Sequence, residues 1–76
     1  MKTVQISLNS IDKVKSFVND ITKFDYDFDL VSGRYVIDAK SIMGIFSLDL
    51  SKPIELHAHT DNAKEFLDAI DKFIVK

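Results

Sequence analysis

The first third of the chain changes from an alternating pattern of apolar residues to a helical one. Val4, Ile6 and Leu8 alternate with polar residues, and this period of two predicts a half-buried β-strand. Ser10 then offers the side-chain oxygen of a helix N-cap. The apolar residues that follow have the spacing of an amphipathic helix and are Ile11, Val14, Phe17, Val18 and Ile21. We expect this helix to end near residues 23–24, with Lys23 in its last turn.

The middle of the chain predicts a β-hairpin followed by a short helix. In the segment DYDFDL, residues 25–30, acids alternate with apolar residues, as they do in a strand with one wet face. Ser32 and Gly33 form a turn signal, and residues 34–39 are expected to return as the second strand. Residues 40–50 are then expected to form a short helix and a loop.

The last third predicts a fourth strand and a final helix. Ile54, Leu56 and Ala58 alternate with polar residues, which again indicates a half-buried strand. Thr60 or Asp61 is expected to cap the last helix. The apolar stripe of that helix consists of Ala63, Phe66, Leu67, Ile70, Phe73 and Ile74.

The resulting order β-α-β-β-α-β-α predicts an α+β fold in which residues 1–76 form a single domain. Each helix has one apolar stripe and each strand has one apolar face. A single layer of helices is therefore expected to cover one face of a four-stranded sheet. The other face should be polar and open to water, with the outward residues Thr3, Gln5, Ser7, Asp27, Asp29, Glu55, His57 and His59.

Composition excludes several classes of function. The chain has a net charge of −2, so no excess of basic residues points to nucleic acid. It has no cysteine, which excludes disulfides and Cys-ligated metals. No apolar run approaches the ~18 residues that span a bilayer, and MKTVQISL lacks the apolar core of a secretion signal. We therefore expect a cytoplasmic protein that uses no cofactor and binds neither nucleic acid nor membranes.

The segment KSIMGIFSLDLSK, residues 40–52, places large apolar residues on a helix too short to bury them all. Ser41 is its expected N-cap, where a phosphate would meet the free N–H groups of the first turn. Ile45 and Leu48 are expected to belong to the core. The residues left at the surface form a candidate protein-binding patch and are Ile42, Met43 and Phe46.

The order of elements, together with KSIMG at residues 40–44 and the SLDLSK that overlaps the following loop, resembles the HPr family. Its members are the small phosphocarrier proteins of the bacterial sugar phosphotransferase system. The resemblance spans essentially the whole chain. It implies an open-faced β-sandwich with antiparallel strand order 1-4-2-3 and three helices on one face.

Family members carry a phosphoryl group on a His at the start of the first helix, with an Arg and a Pro close behind. The resemblance places Ser10 at the position of the His, Asp12 at that of the Arg and Lys13 at that of the Pro. A hydroxyl without a neighbouring general base is a poor acceptor, and Asp12 repels a phosphoryl group. The resemblance therefore implies no catalytic residue, which argues against an enzyme without deciding the question.

In relatives from low-GC Gram-positive bacteria, a dedicated kinase phosphorylates the Ser of KSIMG, and the product binds a transcriptional regulator. Ser41 is the corresponding residue, and the chain is similar to catabolite-repression HPr-like paralogues, which keep this Ser and have lost the His. The resemblance implies a non-catalytic regulatory variant that binds phosphotransferase-system proteins or a transcriptional regulator and is a candidate substrate of a Ser kinase. The residues expected to bind the partner are Lys13, Lys40, Ile42, Met43 and Phe46.

Two other functions remain open on the sequence. One is a working phosphocarrier with an unorthodox acceptor, although the chain has no His before His57. The other is a divergent scaffold outside the sugar phosphotransferase system, although the chain retains KSIMG. Fold alone does not separate these functions.

Three residues of the fourth strand form the nearest approach to a metal site. Glu55, His57 and His59 share one face, and Asp27 or Asp29 on a neighbouring strand would add a further ligand. We expect cross-strand pairing between His and carboxylate side chains instead, so no metal is predicted.

Overall fold

The computed structural model describes residues 1–75. The order of its elements confirms the predicted β-α-β-β-α-β-α arrangement. The elements are β1 (Lys2–Ile6), α1 (Ile11–Ile21), β2 (Phe28–Ser32), β3 (Tyr35–Asp38), α2 (Ile42–Phe46), β4 (Ile54–Ala58) and α3 (Lys64–Ile70), followed by a 3₁₀ turn (Asp71–Phe73). Within residues 1–75, no helix has the length and apolar character needed to cross a membrane.

The four strands form one antiparallel sheet in the order β1-β4-β2-β3. Leu56 of β4 lies opposite Val4 of β1 and opposite Leu30 of β2. A shift of one residue would turn the apolar set of a strand to the other face, so this register keeps the core side continuous. The strand order implied by the resemblance is confirmed, and with it the α+β open-faced sandwich.

The core lies between one face of the sheet and the helices. Phe17 of α1 meets Phe73 edge to face with ring centroids 5.7 Å apart, and Phe28 of β2 meets Phe66 of α3 at 5.5 Å. Such edge-to-face pairs stabilise the fold by more than the burial of their apolar area alone would give. The buried hydrophobic residues are Ile6, Leu8, Val14, Phe17, Ile21, Phe28, Leu30, Ala39, Ile45, Leu48, Ile54, Leu56, Ala58, Phe66, Ile70 and Phe73.

Both ends of α1 differ from the prediction. Ile11 is 61% exposed, because repeated steps of three residues drift by about 60° each around a helix and carry it away from the buried side. The helix ends at Ile21 with Thr22 as its C-cap, so Lys23 lies beyond the last turn. The hydroxyl of Thr22 donates to the carbonyl of Asn19 at 3.0 Å, which satisfies one of the free carbonyls at this end.

The start of α3 also differs from the prediction. The helix begins at Lys64, with Ala63 at the N-cap position and no side-chain cap. The hydroxyl of Thr60 instead accepts a hydrogen bond from the N–H of Asn62 at 3.1 Å, which closes a local turn before the helix. The predicted cap by Thr60 or Asp61 is therefore wrong.

The predicted hairpin is present with shorter strands. Gly33 in its turn has a φ of +60°, a conformation that favours glycine. β2 begins at Phe28 and not at the start of DYDFDL. Tyr26 stacks on Phe24 with ring centroids 5.6 Å apart, so the first aromatic residue of that segment joins an aromatic cluster ahead of the strand.

Candidate functional site

Two serines cap the starts of α1 and α2, as predicted. The Ser10 hydroxyl accepts a hydrogen bond from the N–H of Lys13 at 3.2 Å, and the Ser41 hydroxyl accepts one from Gly44 at 3.3 Å. Both serines have extended backbones, with φ and ψ of −148° and 158° at Ser10 and of −93° and 101° at Ser41. Each hydroxyl satisfies one of the N–H groups that a helix leaves without a partner in its first turn. Both residues are exposed.

The first turn of α1 is acidic, at the position where the sequence resemblance implies the Arg of the HPr family. Asp12 lies there, two residues after Ser10. A carboxylate at the positive end of a helix is favourable by itself and repels a phosphoryl group that approaches the same end. The start of α1 is therefore suited to stability and unsuited to holding phosphate.

Three apolar side chains at the surface of α2 form what we call the α2 patch: Ile42, Met43 and Phe46. Met43 is 76% exposed and Phe46 is 38% exposed, whereas Ile42 is half-buried against the core. Ile45 is fully buried and Leu48 is 8% exposed. The predicted division of this segment into core and surface residues is confirmed.

Gly44 leaves no side chain between α2, the Ser41 hydroxyl and the Ile37 side chain of β3. A Cβ atom on Gly44 would lie 3.3 Å from the Ser41 hydroxyl oxygen and 3.4 Å from Cδ1 of Ile37. The first distance is tighter than an ordinary contact, so a side chain here would crowd the hydroxyl. Because Gly44 has no side chain, the side of the Ser41 hydroxyl that faces α2 is not crowded.

The two lysines predicted to bind the partner have different surroundings. The Lys40 ammonium donates to the carbonyl of Phe24 at 2.8 Å and lies 5.7 Å from the ring centroid of Phe28. This half-buried lysine thus ties the start of α2 to the end of α1. Lys13 lines a groove beside Asp12, Ser16, Lys72 and Phe73, between α1 and the 3₁₀ turn. The charge of Lys40 is thus engaged within the chain, and Lys13 lines a groove that none of the α2 patch residues lines.

The two histidines lie on the open face of the sheet, on the side away from the helices. His59 Nε2 is 2.7 Å from Asp29 Oδ2 on β2, which confirms the predicted cross-strand pairing. His57 Nε2 is 2.9 Å from Glu55 Oε1 on its own strand. Within residues 1–75, no three His, Asp or Glu side chains are placed to hold a metal ion. Neither histidine lies where it could replace the family His at the start of α1.

Comparison with known proteins identifies the family. The model of the PTS-HPr family, described as the HPr component phosphorylation site of the phosphotransferase system, matches residues 13–76. The chain belongs to the HPr family. The match begins at Lys13 and does not include Ser10 or Asp12. No curated protein matches the sequence significantly.

Solved HPr structures share the fold. HPr-C-His from Thermoanaerobacter tengcongensis is 29% identical with a TM-score of 0.78, over 95% of this chain and 89% of that one. HPr from Bacillus anthracis is 28% identical with a TM-score of 0.71, over 97% and 94%. Crh, the catabolite repression protein of Bacillus subtilis, is described as a domain-swapped dimer; it is 23% identical with a TM-score of 0.66, over 96% and 90%. At that identity the likeness to Crh shows the fold alone.

Membership places the chain in the phosphocarrier family of the phosphotransferase system, whose proteins interact with other proteins of that system. The sequence contains two histidines, and both lie in the stretch from His57 to His59. Neither of these histidines lies near the start of α1 in the sequence.

Proposed function

We propose that this chain is a non-catalytic, regulatory member of the HPr family that binds a protein partner through the α2 patch. Ser41 is its phosphorylation switch. The observation that carries the proposal is the exposure of Met43, 76%, and Phe46, 38%, on the helix that Ser41 begins.

The α2 patch has the chemistry of a protein-binding surface. Contiguous apolar side chains at the surface of a small protein often mark an interaction site. Met43 contributes a flexible thioether that adapts to a partner, and Phe46 adds an aromatic ring. Because Ile45 on the opposite side of α2 is buried, a partner can cover the patch without disturbing the core.

Ser41 is suited to act as a switch because its hydroxyl is exposed beside the patch. A Ser kinase would transfer the γ-phosphoryl group of ATP to this oxygen, with loss of the hydroxyl proton and release of ADP. The phosphoserine would carry about −1.5 to −2 charges at neutral pH. A partner with cations opposite Ser41 would then bind the modified form more tightly, by charge-assisted hydrogen bonds.

The start of α1 supports the absence of a carrier reaction. The Ser10 hydroxyl has Asp12 close behind it and no His within reach along the sequence. His57 and His59 already pair with Glu55 and Asp29 on the far side of the sheet. A phosphoryl group received from Enzyme I therefore lacks a suitable acceptor at the usual place.

Phosphorylation read by intact mass tests the switch. One reaction contains Enzyme I and phosphoenolpyruvate, and the other contains HPr kinase and ATP. We expect one added phosphoryl group in the kinase reaction alone, lost in Ser41→Ala and retained in Ser10→Ala, which removes a cap of the same geometry. Phosphate from Enzyme I would instead favour a carrier with an unorthodox acceptor, and no phosphate in either reaction would remove the switch.

Binding tests the α2 patch separately. The probe is the transcriptional regulator that recognises Ser-phosphorylated HPr, titrated with the phosphorylated chain by calorimetry. Met43→Glu should weaken binding at least about tenfold, because it introduces a charge at the centre of the contact. The matched control is Val75→Glu, at a residue that is 43% exposed and lies outside the patch. Equal effects of the two substitutions would exclude the α2 patch as the docking surface.

A further inference from the structure

The two edges of the sheet differ in how they are covered. Along β1, the C-terminal segment supplies partners, since the N–H of Val75 donates to the carbonyl of Gln5 at 2.9 Å. The edge strand β3 is exposed to solvent, with Tyr35 69% exposed and Val36 64% exposed. A bare edge presents unpaired N–H and C=O groups with which another strand can pair.

The backbone of β3 turns its alternate peptide groups away from the sheet. The N–H of Ala39, directly after the strand, donates to the carbonyl of Phe28 at 2.9 Å. Alternate residues of an antiparallel strand share one direction, so Ile37 also faces β2. The N–H and C=O of Val36 and the N–H of Asp38 therefore point outward.

The side chains of this edge carry opposite charges at its two ends. The sequence RYVID, residues 34–38, begins with Arg34 and ends with Asp38, and both are exposed. Neither forms an ion pair within residues 1–75. Asp38 and Val36 alternate with Ile37, which packs against the core, so both lie on the open face of the sheet, and Arg34 lies in the hairpin turn directly before β3.

We propose that two copies of this chain associate through their β3 strands, paired antiparallel about Val36, with Arg34 of each copy opposite Asp38 of the other. Val36 then lies opposite its own counterpart, where the outward N–H and C=O groups of the two residues bond to each other. Tyr35 of each copy faces Ile37 of the other on the helix side. The two sheets become one continuous sheet across a two-fold axis, an arrangement in which one surface is complementary to itself.

The charges select this register over its neighbours. A shift of two residues in one direction would place Arg34 beyond the end of the second copy's β3 and Asp38 opposite Val36, so neither charge would have an opposite partner. The reverse shift would place Asp38 opposite Ser32, which belongs to β2 and lies behind the edge. A shift of one residue would join the open face of one copy to the helix side of the other.

The contact is small, so the association is expected to be weak. The contact is limited to residues 34–38 of each copy, well below the size of a stable protein interface, so we expect a dissociation constant on the order of 0.1 mM. The proposal does not depend on the function of the α2 patch. Ile37 lies against α2, since a Cβ on Gly44 would be 3.4 Å from its Cδ1, so a dimer presents two α2 patches beside the seam.

Sedimentation equilibrium of the full chain, from roughly 10 μM to 1 mM, tests the association. Arg34→Glu and Asp38→Lys each place like charges opposite one another twice, so each should weaken self-association at least about tenfold. Lys15→Glu is the matched control, because it makes the same change of charge as Arg34→Glu at an exposed position of α1. It should leave the association within about twofold of the wild type.

An equimolar mixture of the two single variants gives the sharpest test. Each introduced charge then lies opposite a complementary one, so the mixture should associate within about threefold of the wild type. Asp38→Lys also removes the oxygen that accepts from the N–H of Lys40 at 2.9 Å, so circular dichroism checks that it folds. If it does not fold, Arg34→Glu and slowed amide exchange of Val36 at high concentration decide. A wild type that stays monomeric at 1 mM, or folded variants whose mixture does not associate, would overturn the proposal.

Discussion

The helices α1 and α2 begin with the same cap and carry different charges. The hydroxyls of Ser10 and Ser41 accept hydrogen bonds from the N–H three residues ahead, at 3.2 and 3.3 Å. Two residues after each serine, α1 has Asp12 and α2 has Met43. Asp12 is an acid in the first turn of its helix, whereas Met43 is 76% exposed and uncharged.

The difference teaches that cap geometry does not separate a structural serine from a candidate switch. Both hydroxyls satisfy the same kind of unpaired N–H group. An approaching protein meets a carboxylate beside Ser10 and apolar side chains beside Ser41. The residues around each serine, and not its capping hydrogen bond, therefore determine which of the two serines can be modified and recognised.

The largest effect is expected from rebuilding the start of α1. Ser10→His with Asp12→Arg and Lys13→Pro supplies the nucleophile, a fork of phosphate-binding donors and a proline that the first turn of a helix tolerates. We expect Enzyme I and phosphoenolpyruvate to phosphorylate this triple variant close to completion, while the wild type stays unmodified. Intact mass measures the product, and its acid lability distinguishes phosphohistidine from phosphoserine.

Ser10→His alone is the control for the charge. It keeps Asp12, whose carboxylate repels the incoming phosphoryl group, and we expect transfer at least about a hundredfold slower than in the triple variant. Equal rates in the two variants would show that the missing histidine, and not the acid, separates α1 from a working carrier site.

The second largest effect concerns how firmly each helix start is held. Val14, Phe17 and Ile21 anchor α1 in the core, whereas Ile45 is the buried residue of the five-residue α2. Ile45→Ala should lower the free energy of unfolding by about 2–4 kcal/mol, because it leaves a cavity under the whole helix. Urea unfolding measures the loss.

Met43→Ala on the opposite side of α2 is the control. Because Met43 is 76% exposed, its truncation should change the free energy of unfolding by less than about 0.5 kcal/mol. A similar loss in both variants would mean that Met43 contributes to the core and is not available to a partner.

The sequence predicted the two serine caps and the division of α2 into buried and exposed residues because both depend on neighbouring positions. It did not predict the position of the Lys40 ammonium, which bonds to the carbonyl of Phe24, 16 residues earlier in the chain. Lys40 adjoins Ser41 in sequence, and only the packing of α1 beside α2 shows that its charge is already engaged. A contact between segments that are distant in the chain produces no periodic pattern in the sequence, so it cannot be predicted from neighbouring residues.

The same distinction applies to the fold. Alternation and helical spacing predicted the elements and their faces, and the family resemblance supplied the strand order. The exposure of Ile11 was missed because steps of three residues drift around the helix and carry Ile11 away from the buried side. The covered edge of β1 was missed because the bond from Val75 to Gln5 joins opposite ends of the chain.

A smaller effect is expected from removing each cap. Ser10→Ala should cost about 1 kcal/mol, because the N–H of Lys13 loses its acceptor. Ser41→Ala should cost less, about 0.5 kcal/mol, because α2 has only five residues and its cap bond is longer, 3.3 Å. Urea unfolding gives the two losses, and amide exchange of Lys13 and Gly44 locates them. A larger loss from Ser41→Ala would indicate that its hydroxyl serves the fold more than a switch.

The smallest effect concerns the charge itself. Asp12→Asn removes a carboxylate from the positive end of α1 and should cost about 0.3–0.5 kcal/mol at low salt. Met43→Asp places the same charge at the corresponding position of α2, where the shorter helix should gain no more than a few tenths of a kcal/mol. Urea unfolding at low ionic strength and at about 1 M salt separates charge from packing, because salt screens exposed charges. If the loss from Asp12→Asn persists at high salt, the carboxylate acts through a local contact. The electrostatic contrast between the two helix starts would then no longer explain why α1 is unsuited to phosphate.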